Sequence, residues 1–245
     1  MDPLTAAAAS GMRARMEALD LLANNIANAA TAGFKSDRES YNVYLADVAR
    51  GGATDPEVLP VVERNWTDFT QGTVTATGNP LDLALTGPGF FSVEAGEGTL
   101  YTRNGNFRLS PKGRLETKEG YAVLGQKGKP IVVDAAKQVD ISPEGIIRQD
   151  GAEVNRLAVV DFAKSDQLSK RGGTYFQLLD KDLKASAAPE AGIAQGRLEA
   201  SNVGTAESAV RLVSVMRQFE MLQRAMALGG EMNKKAFDEV ARVNG

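Results

Sequence analysis

The chain has 245 residues and a formal net charge of -3, from 28 lysines and arginines against 31 aspartates and glutamates. A slightly negative charge argues against a nucleic-acid-binding protein, which normally carries a basic face. The chain has no cysteine and no histidine. Disulfides and thiolate metal sites are therefore excluded, as is the commonest general base, and no cofactor is expected.

The first predicted element is a helix from the Asp2-Pro3 start signal to about Asn28, within an N-terminal segment of residues 1–34. Gly33 stands where the chain must leave this helix, in a conformation that glycine adopts easily. The helix carries an apolar seam with 4-3-4-3 spacing, formed by Met12, Met16, Leu19, Ala23 and Ile26. Such spacing is typical of a face that packs against another helix.

Three asparagines interrupt the end of this helix, although asparagine is a poor helix former. Asn24, Asn25 and Asn28 admit two interpretations. They mark a helix that frays before Gly33, or their amides form hydrogen bonds across an interface between packed helices.

The middle of the chain reads as β-structure. Residues 35–70 are predicted to form an extended or irregular arm, and residues 71–184 a compact antiparallel β-domain. Short apolar runs recur there between turn signals, and Asn104-Gly105 is a strong signal for a two-residue hairpin. Residues 164–173 are predicted to be a loop, and residues 185–202 a linker.

A second long helix is predicted in the C-terminal segment, residues 203–245. Its seam has 3-4-3-4 spacing, and its members are Leu212, Val215, Phe219, Leu222 and Met226. The predicted fold class is therefore mainly β with terminal α-helices: a central antiparallel β-domain flanked by helices that can form coiled coils. The two seams can pack against each other or against helices of neighbouring copies, and the sequence leaves both options open.

Features of an enzyme are scarce in the sequence. Without histidine there is no partner for a nucleophilic serine, and Asp82 and Glu94 are expected on a solvated face rather than in a glycan-cleaving pair. A secreted glycan-binding or glycan-cleaving β-domain is the alternative class. No apolar run reaches the length of a membrane span, and no cleaved signal peptide is visible at Met1–Leu4.

Four blocks, in order along the chain, together resemble the bacterial flagellar rod and hook family. The blocks are Asn24–Lys35, Thr77–Leu85 with Gly87–Phe91, Tyr101–Phe107 with Gly120–Gly125, and Gly196–Val203. One stretch departs from the family pattern, because Gly204–Ala209 replaces the usual acidic residue and Glu-Met pair. The pattern returns at Arg217–Glu220.

This resemblance implies a structural subunit of the flagellar basal body, which self-assembles into a helical tube that transmits torque to the hook and filament. It implies a periplasmic rod location, export without a cleaved signal by the flagellar type III apparatus, and partners among other rod subunits and copies of the chain. The modest length favours a rod protein, first of the proximal subtype and second of the distal one. The expected subunit interface consists of both seams with Asn24, Asn25, Asn28, Thr31, Gly33 and Phe34, and Phe34 is expected to be buried by another subunit.

Overall fold

The structure is a computed structural model that describes residues 3–45, 58–96, 98–162, 167–180 and 185–243. The chain divides into two compact units. The helical unit comprises Met1–Ala27, Asp37–Trp66 and Gly204–Gly245, and the β-rich unit comprises Asn28–Ser36 and Thr67–Val203. Each unit is therefore assembled from segments that are distant in sequence.

The helical unit contains both predicted helices and one pair of strands. Helix α1 spans Pro3–Ala27 and helix α2 spans Thr205–Val243. Strands β1 (Asp37–Leu45) and β2 (Val58–Thr67) form a two-stranded sheet, so the described part of the predicted arm is paired β-structure. The start signal at Asp2 and the arm residues 46–57 lie outside the described residues.

The remaining strands build the β-rich unit, and every strand pair whose register is defined there is antiparallel. They are β3 (Val74–Ala76), β4 (Leu83–Thr86), β5 (Phe90–Ala95), β6 (Gly98–Thr102), β7 (Phe107–Leu109), β8 (Leu115–Thr117), β9 (Ala122–Val123), β10 (Asp140–Ile141), β11 (Ile146–Gln149), β12 (Ala152–Arg156), β13 (Val159–Asp161), β14 (Leu168–Gly172), β15 (Tyr175–Leu178), β16 (Ser186–Ala187), β17 (Gly192–Gln195) and β18 (Arg197–Glu199). The main sheet has the order β14-β15-β6-β5-β9-β8-β7, with β13 and β16 attached through β5. Smaller sheets pair β10-β11-β12, β17-β4 and β18-β3.

Strand β5 shows why this sheet is covered on both faces. Successive side chains of a strand point to opposite faces. Phe91 and Val93 are fully buried in the main core, whereas Phe90 belongs to a second cluster with Tyr101 and Phe176. In that second cluster Phe90 meets Phe176 edge to face, and Tyr101 meets Phe162 in the same way, which is the geometry that the ring quadrupoles favour. The β-rich unit therefore has two apolar cores around one sheet.

The structure corrects three expectations about the β-structure. Asn104-Gly105 does not close a hairpin, because β6 pairs with β5 and β15 while β7 pairs with β8. The predicted loop 164–173 contains β14, and the predicted linker 185–202 contains β16, β17 and β18. These last strands complete small sheets with β13, β4 and β3, so the β-rich unit continues to Val203.

Candidate assembly surface

Helices α1 and α2 pack against each other within the chain, which realises one of the two options that the seams left open. Ala18 and Leu22 of α1 form a small buried cluster with Val215 of α2, and Leu19 and Leu212 pack against it. Small residues of α1 allow this approach. A Cβ atom added at Gly11 would lie 3.4 Å from a methyl carbon of Leu222.

The face of α1 that is buried differs from its predicted seam by about one residue. The buried positions of α1 are Ala8, Gly11, Ala14, Ala18, Leu22 and Asn25. Of the predicted seam, Leu19, Met12 and Ile26 are half-buried, whereas Ala23 is exposed and Met16 is 54% exposed. One residue corresponds to about 100° around a helix, so much of the predicted seam is turned away from the buried face.

The predicted seam of α2 lies on the side that faces α1. Val215 is buried, and Leu212, Phe219, Leu222 and Met226 are half-buried. The opposite side of α2 carries a second apolar row, which the 3-4-3-4 spacing did not predict. We call it the outer stripe, and its members are Val210, Val213, Met221, Leu228 and Met232, each between 50% and 73% exposed. Val210, Met221 and Met232 recur after about three helical turns, which keeps them on one face.

The asparagines at the end of α1 have distinct roles. Asn25 is buried and bonds to β1 of the same chain: its Nδ2 donates to the carbonyl oxygen of Asp37 over 2.8 Å, and its Oδ1 accepts from the Asp37 amide over 3.0 Å. Asn28 accepts hydrogen bonds from the backbone and hydroxyl of Thr31. Asn24 is exposed. Asn25 therefore holds β1 against α1, a role that neither interpretation anticipated.

Phe34 is buried by its own chain, contrary to the expectation that another subunit covers it. It is 1% exposed, and the Lys170 ammonium lies 4.2 Å from the centre of its ring. Gly33 has φ of +67°, and a Cβ atom there would lie 2.3 Å from the Asn104 amide nitrogen. Only glycine fits this approach, which lets the Gly33 amide donate to the carbonyl of Glu199 over 2.8 Å.

A buried charge network follows directly after Phe34. The Lys35 ammonium donates to the Glu199 carboxylate and to the Thr70 carbonyl, each over 2.6 Å, and both charged side chains are fully buried. The second carboxylate oxygen of Glu199 lies 3.5 Å from the Arg103 guanidinium, which also donates to the Gly87 carbonyl over 2.8 Å. Burial lowers the pKa of Lys35, and the hydrogen bond to Glu199 opposes that shift.

Asn202 ties the same three chain segments together with uncharged bonds. Its Oδ1 accepts from the Ser36 amide over 2.8 Å, and its Nδ2 donates to the Asp68 carbonyl over 2.7 Å. We call residues 33–36, 68–72 and 199–202 the junction. The charge network was missed from composition and spacing, although Lys35, Arg103 and Glu199 each stand within one of the resembling blocks.

The two paired helices, the β-rich unit and the exposed apolar row together indicate a class of protein. A β-rich unit sits in sequence between two long helices that pair with each other, and one of them exposes a long apolar row. The described residues contain no group of carboxylates that could hold a metal ion, and neither described helix is long and apolar enough to cross a membrane. These features are those of a structural subunit with a surface for further helix packing.

The comparisons with known proteins identify the family. Three family models match: "Flagella basal body rod protein" over residues 6–35, "Flagellar hook protein FlgE/F/G D1 domain" over residues 84–149, and "Flagellar basal body rod FlgEFG protein C-terminal" over residues 194–238. The chain is 35% identical to the flagellar basal-body rod protein FlgF of Caulobacter vibrioides, with 92% of this chain and 93% of the relative covered. It is 31% identical to FlgG of Bacillus subtilis, with 91% and 93% covered, and 30% identical to FlgF of Salmonella typhimurium, with 87% and 88% covered.

The chain belongs to the family of flagellar basal-body rod proteins. It is a structural subunit of the rod, and it assembles with other rod components of the flagellum. Relatives named FlgF and FlgG are consistent with the proximal rod that the sequence favours. The family is structural, which is consistent with a protein that is not an enzyme.

Proposed function

We propose that this subunit joins neighbouring subunits of the proximal rod through the outer stripe of α2 and the exposed part of the predicted α1 seam. The observation that carries the proposal is the outer stripe. Monomeric proteins rarely expose contiguous apolar rows of this length, and such rows usually mark interaction sites. Contacts between unlike faces of successive copies generate an open helical assembly when the rotation from one copy to the next does not close into a ring.

Charge supports a contact between unlike faces. Arg217 and Arg224 are exposed among the members of the outer stripe, whereas Asp20 is exposed between Met16 and Ala23 on α1. Opposite charges at the edge of an apolar contact set register and orientation more than affinity. In this arrangement the stripe of one copy packs on the exposed α1 face of the next.

The paired variant Met221→Ser with Leu228→Ser tests this proposal. Both side chains are exposed in the single chain, so the free energy of unfolding should change by less than about 1 kcal/mol for the two substitutions together. Rod yield and motility should nevertheless be lost, because each serine removes apolar area from the contact. Leu179→Ser is the matched control, since Leu179 is 63% exposed in the β-rich unit and lies outside the stripe. Normal rods in the paired variant would contradict the proposal.

We further propose that the chain reaches the periplasmic rod through the flagellar type III export apparatus, without a cleaved signal, and that it has no glycan-cleaving activity. In support of the last point, Asp82 is buried and accepts hydrogen bonds from Asn79 and Asn106, rather than standing on a solvated face as the sequence suggested. A peptidoglycan zymogram of the purified chain tests it. A cleared band that disappears in Glu94→Gln would favour the alternative class.

A further inference from the structure

The junction collects the chain segments that lead out of the β-rich unit. Residue 36 precedes the segment of the helical unit that starts at Asp37, and residue 67 follows the end of that segment at Trp66. Val203 precedes the last segment of the helical unit, which contains α2. Any tension that arrives along the chain from the helices therefore reaches the β-rich unit at residues 28, 36, 67 and 203. Three of these four positions are within two residues of the junction.

The junction bonds are buried and join all three segments. Glu199 accepts from Lys35 over 2.6 Å and from the Gly72 amide over 3.0 Å, so one carboxylate oxygen links the three. The Lys170 ammonium adds a bond to the Lys35 carbonyl over 2.8 Å. A charged hydrogen bond without access to water is stronger than an exposed one, since water does not compete for its partners.

The first and last of these segments run in the same direction. The Gly33 amide donates to the Glu199 carbonyl, the Asn202 amide donates to the Phe34 carbonyl, and the Ser36 amide donates to the Asn202 side chain. A pull toward the N-terminus on residue 33 and toward the C-terminus on residue 202 therefore slides the two segments past each other. Bonds loaded in this shear geometry must break together, whereas bonds peeled from one end break one at a time.

We propose that the junction is a mechanical clamp, which keeps the β-rich unit folded when tension reaches it through the chain from the helices. The inference deepens the proposed function and rests on it, because only a subunit that transmits torque meets such tension. The charged core of the clamp is Lys35 with Glu199 and Arg103, and Asn202 closes it. The β-rich unit should therefore resist a pull along this axis more than a pull along another.

Single-molecule force measurements on the full chain test the clamp. The chain has no cysteine, so pairs of introduced cysteines give unique handle positions. A first pair, Ala30→Cys with Thr205→Cys, places the handles so that the force loads the junction. Both residues are exposed, as are the two residues of the second pair. Lys127→Cys with Glu190→Cys defines the second axis, because the chain between these residues excludes all three junction segments. With the junction residues unsubstituted, the folded β-rich unit should have a longer lifetime at constant force when it is pulled along the first axis than along the second.

Lys35→Met should shorten the lifetime about tenfold on the junction axis, as expected when a barrier loses one buried charged hydrogen bond. On the second axis the change should stay below about threefold. Lys118→Met, at an exposed lysine of the same unit, is the matched control. If Lys35→Met does not fold, Asn202→Ala takes its place as the junction variant. The comparison of the two pulling axes with the junction residues unsubstituted needs neither variant.

Equal shortening on both axes would overturn the clamp, since Lys35 would then support only the general stability of the unit. The clamp would also be overturned if Lys35→Met left the lifetime on the junction axis unchanged. The same holds if the chain without a junction substitution lived longer on the second axis than on the junction axis. The proposed function is tested by a different experiment. If the force measurements overturn the clamp, the rod assembly of the outer-stripe variants still decides whether the outer stripe joins neighbouring subunits.

Discussion

Single residues of this chain stabilise contacts between segments that are distant in sequence. Glu199 is the clearest case, because its buried carboxylate would be costly without the partners that it has in Lys35, Arg103 and the Gly72 amide. Removing one member of such a group leaves the others buried and unpaired, which typically costs about 3–5 kcal/mol. The charges therefore specify which segments meet, even where an apolar core would be as stable.

Tyr175 provides a test of a second polar contact. Its hydroxyl donates to the Glu119 carboxylate. Burial is the larger cause and this hydrogen bond the second cause that raise the pKa of Tyr175 above the usual 10.0. A group with a raised folded-state pKa contributes stability that is fully present below its unfolded pKa and is lost as the pH rises above it. Tyr175→Phe should lower the free energy of unfolding by about 1 kcal/mol at pH 7.

Above about pH 10 the gap between the Phe variant and the parent chain should narrow, because the variant lacks the alkaline loss. Urea unfolding at both pH values measures this. Tyr121→Phe is the control, because the centre of the Tyr121 ring lies 5.2 Å from that of the Tyr175 ring. This substitution leaves the hydrogen bond from Tyr175 to Glu119 in place. A gap that stays constant with pH would show that folding does not change the pKa of the Tyr175 hydroxyl.

The helices show how two faces of one element can have different roles. The inner face of α2 packs on α1 within the chain, and its outer stripe remains exposed. The buried apolar cluster between the helices consists of Ala18, Leu22 and Val215 among the described residues, and Leu19 and Leu212 pack against it. The outer stripe of α2 therefore stays available for other partners.

Gly11 sets how closely α1 and α2 approach. Gly11→Ala should stabilise the helix pair by about 0.5–1 kcal/mol, because a methyl group fits 3.4 Å from Leu222 and alanine favours the helix. Gly11→Leu should weaken the pair, since the larger side chain has to displace Leu222. Helical circular dichroism during thermal unfolding measures both effects.

Gly230 of α2 is the matched control, because a Cβ atom there meets nothing within 4 Å. Gly230→Ala should gain the same helix propensity, and Gly230→Leu should be tolerated. If Gly11→Leu and Gly230→Leu behaved alike, the close approach of α1 to α2 at Gly11 would be refuted.

At the scale of the whole molecule, the two units differ in how much apolar surface they bury. The β-rich unit has a main core that includes the fully buried Leu83, Phe91, Val93 and Ile147. A long helix with few buried side chains depends on tertiary contacts for its stability. In hydrogen exchange on the monomer, amides of β5 and β11 should therefore be protected far longer than amides of α2.

Assembly should raise the protection of α2 and leave β5 and β11 unchanged, because only the helix gains contacts. The same measurement on assembled rods gives this comparison. Strong protection of α2 already in the monomer would mean that the contact within the chain is sufficient, and that the outer stripe is not needed to order the helix.

The sequence predicted the elements whose own pattern is strong and missed those that depend on distant partners. The two helices and strands such as β7 and β8 follow from local spacing, and the structure confirms them. Strand β14 carries Lys170 and Arg171, which look like loop residues, yet charged residues suit its place at the sheet edge. Strand β17 has one buried apolar residue, Ile193, and pairs with β4 across more than a hundred residues of sequence.

The candidate site was predictable to a similar degree. The α2 seam follows from spacing alone, and Gly33 follows from its place at a helix end. The burial of Phe34 by its own chain and the pairing of Lys35 with Glu199 were not predictable, because the partners lie in Lys170 and in a segment read as a linker. The outer stripe was missed because its apolar side chains alternate with Arg217 and Arg224, which conceal the row in a simple seam count.

The most direct test of the account is an electron cryomicroscopy map of the rod that resolves this subunit and its neighbours. We predict that another chain covers Val210, Met221, Leu228 and Met232, and that Met16 and Ala23 also contact a neighbouring copy. Lys35 and Glu199 should remain paired inside one chain. An outer stripe that faces solvent in the assembled rod would contradict the central claim.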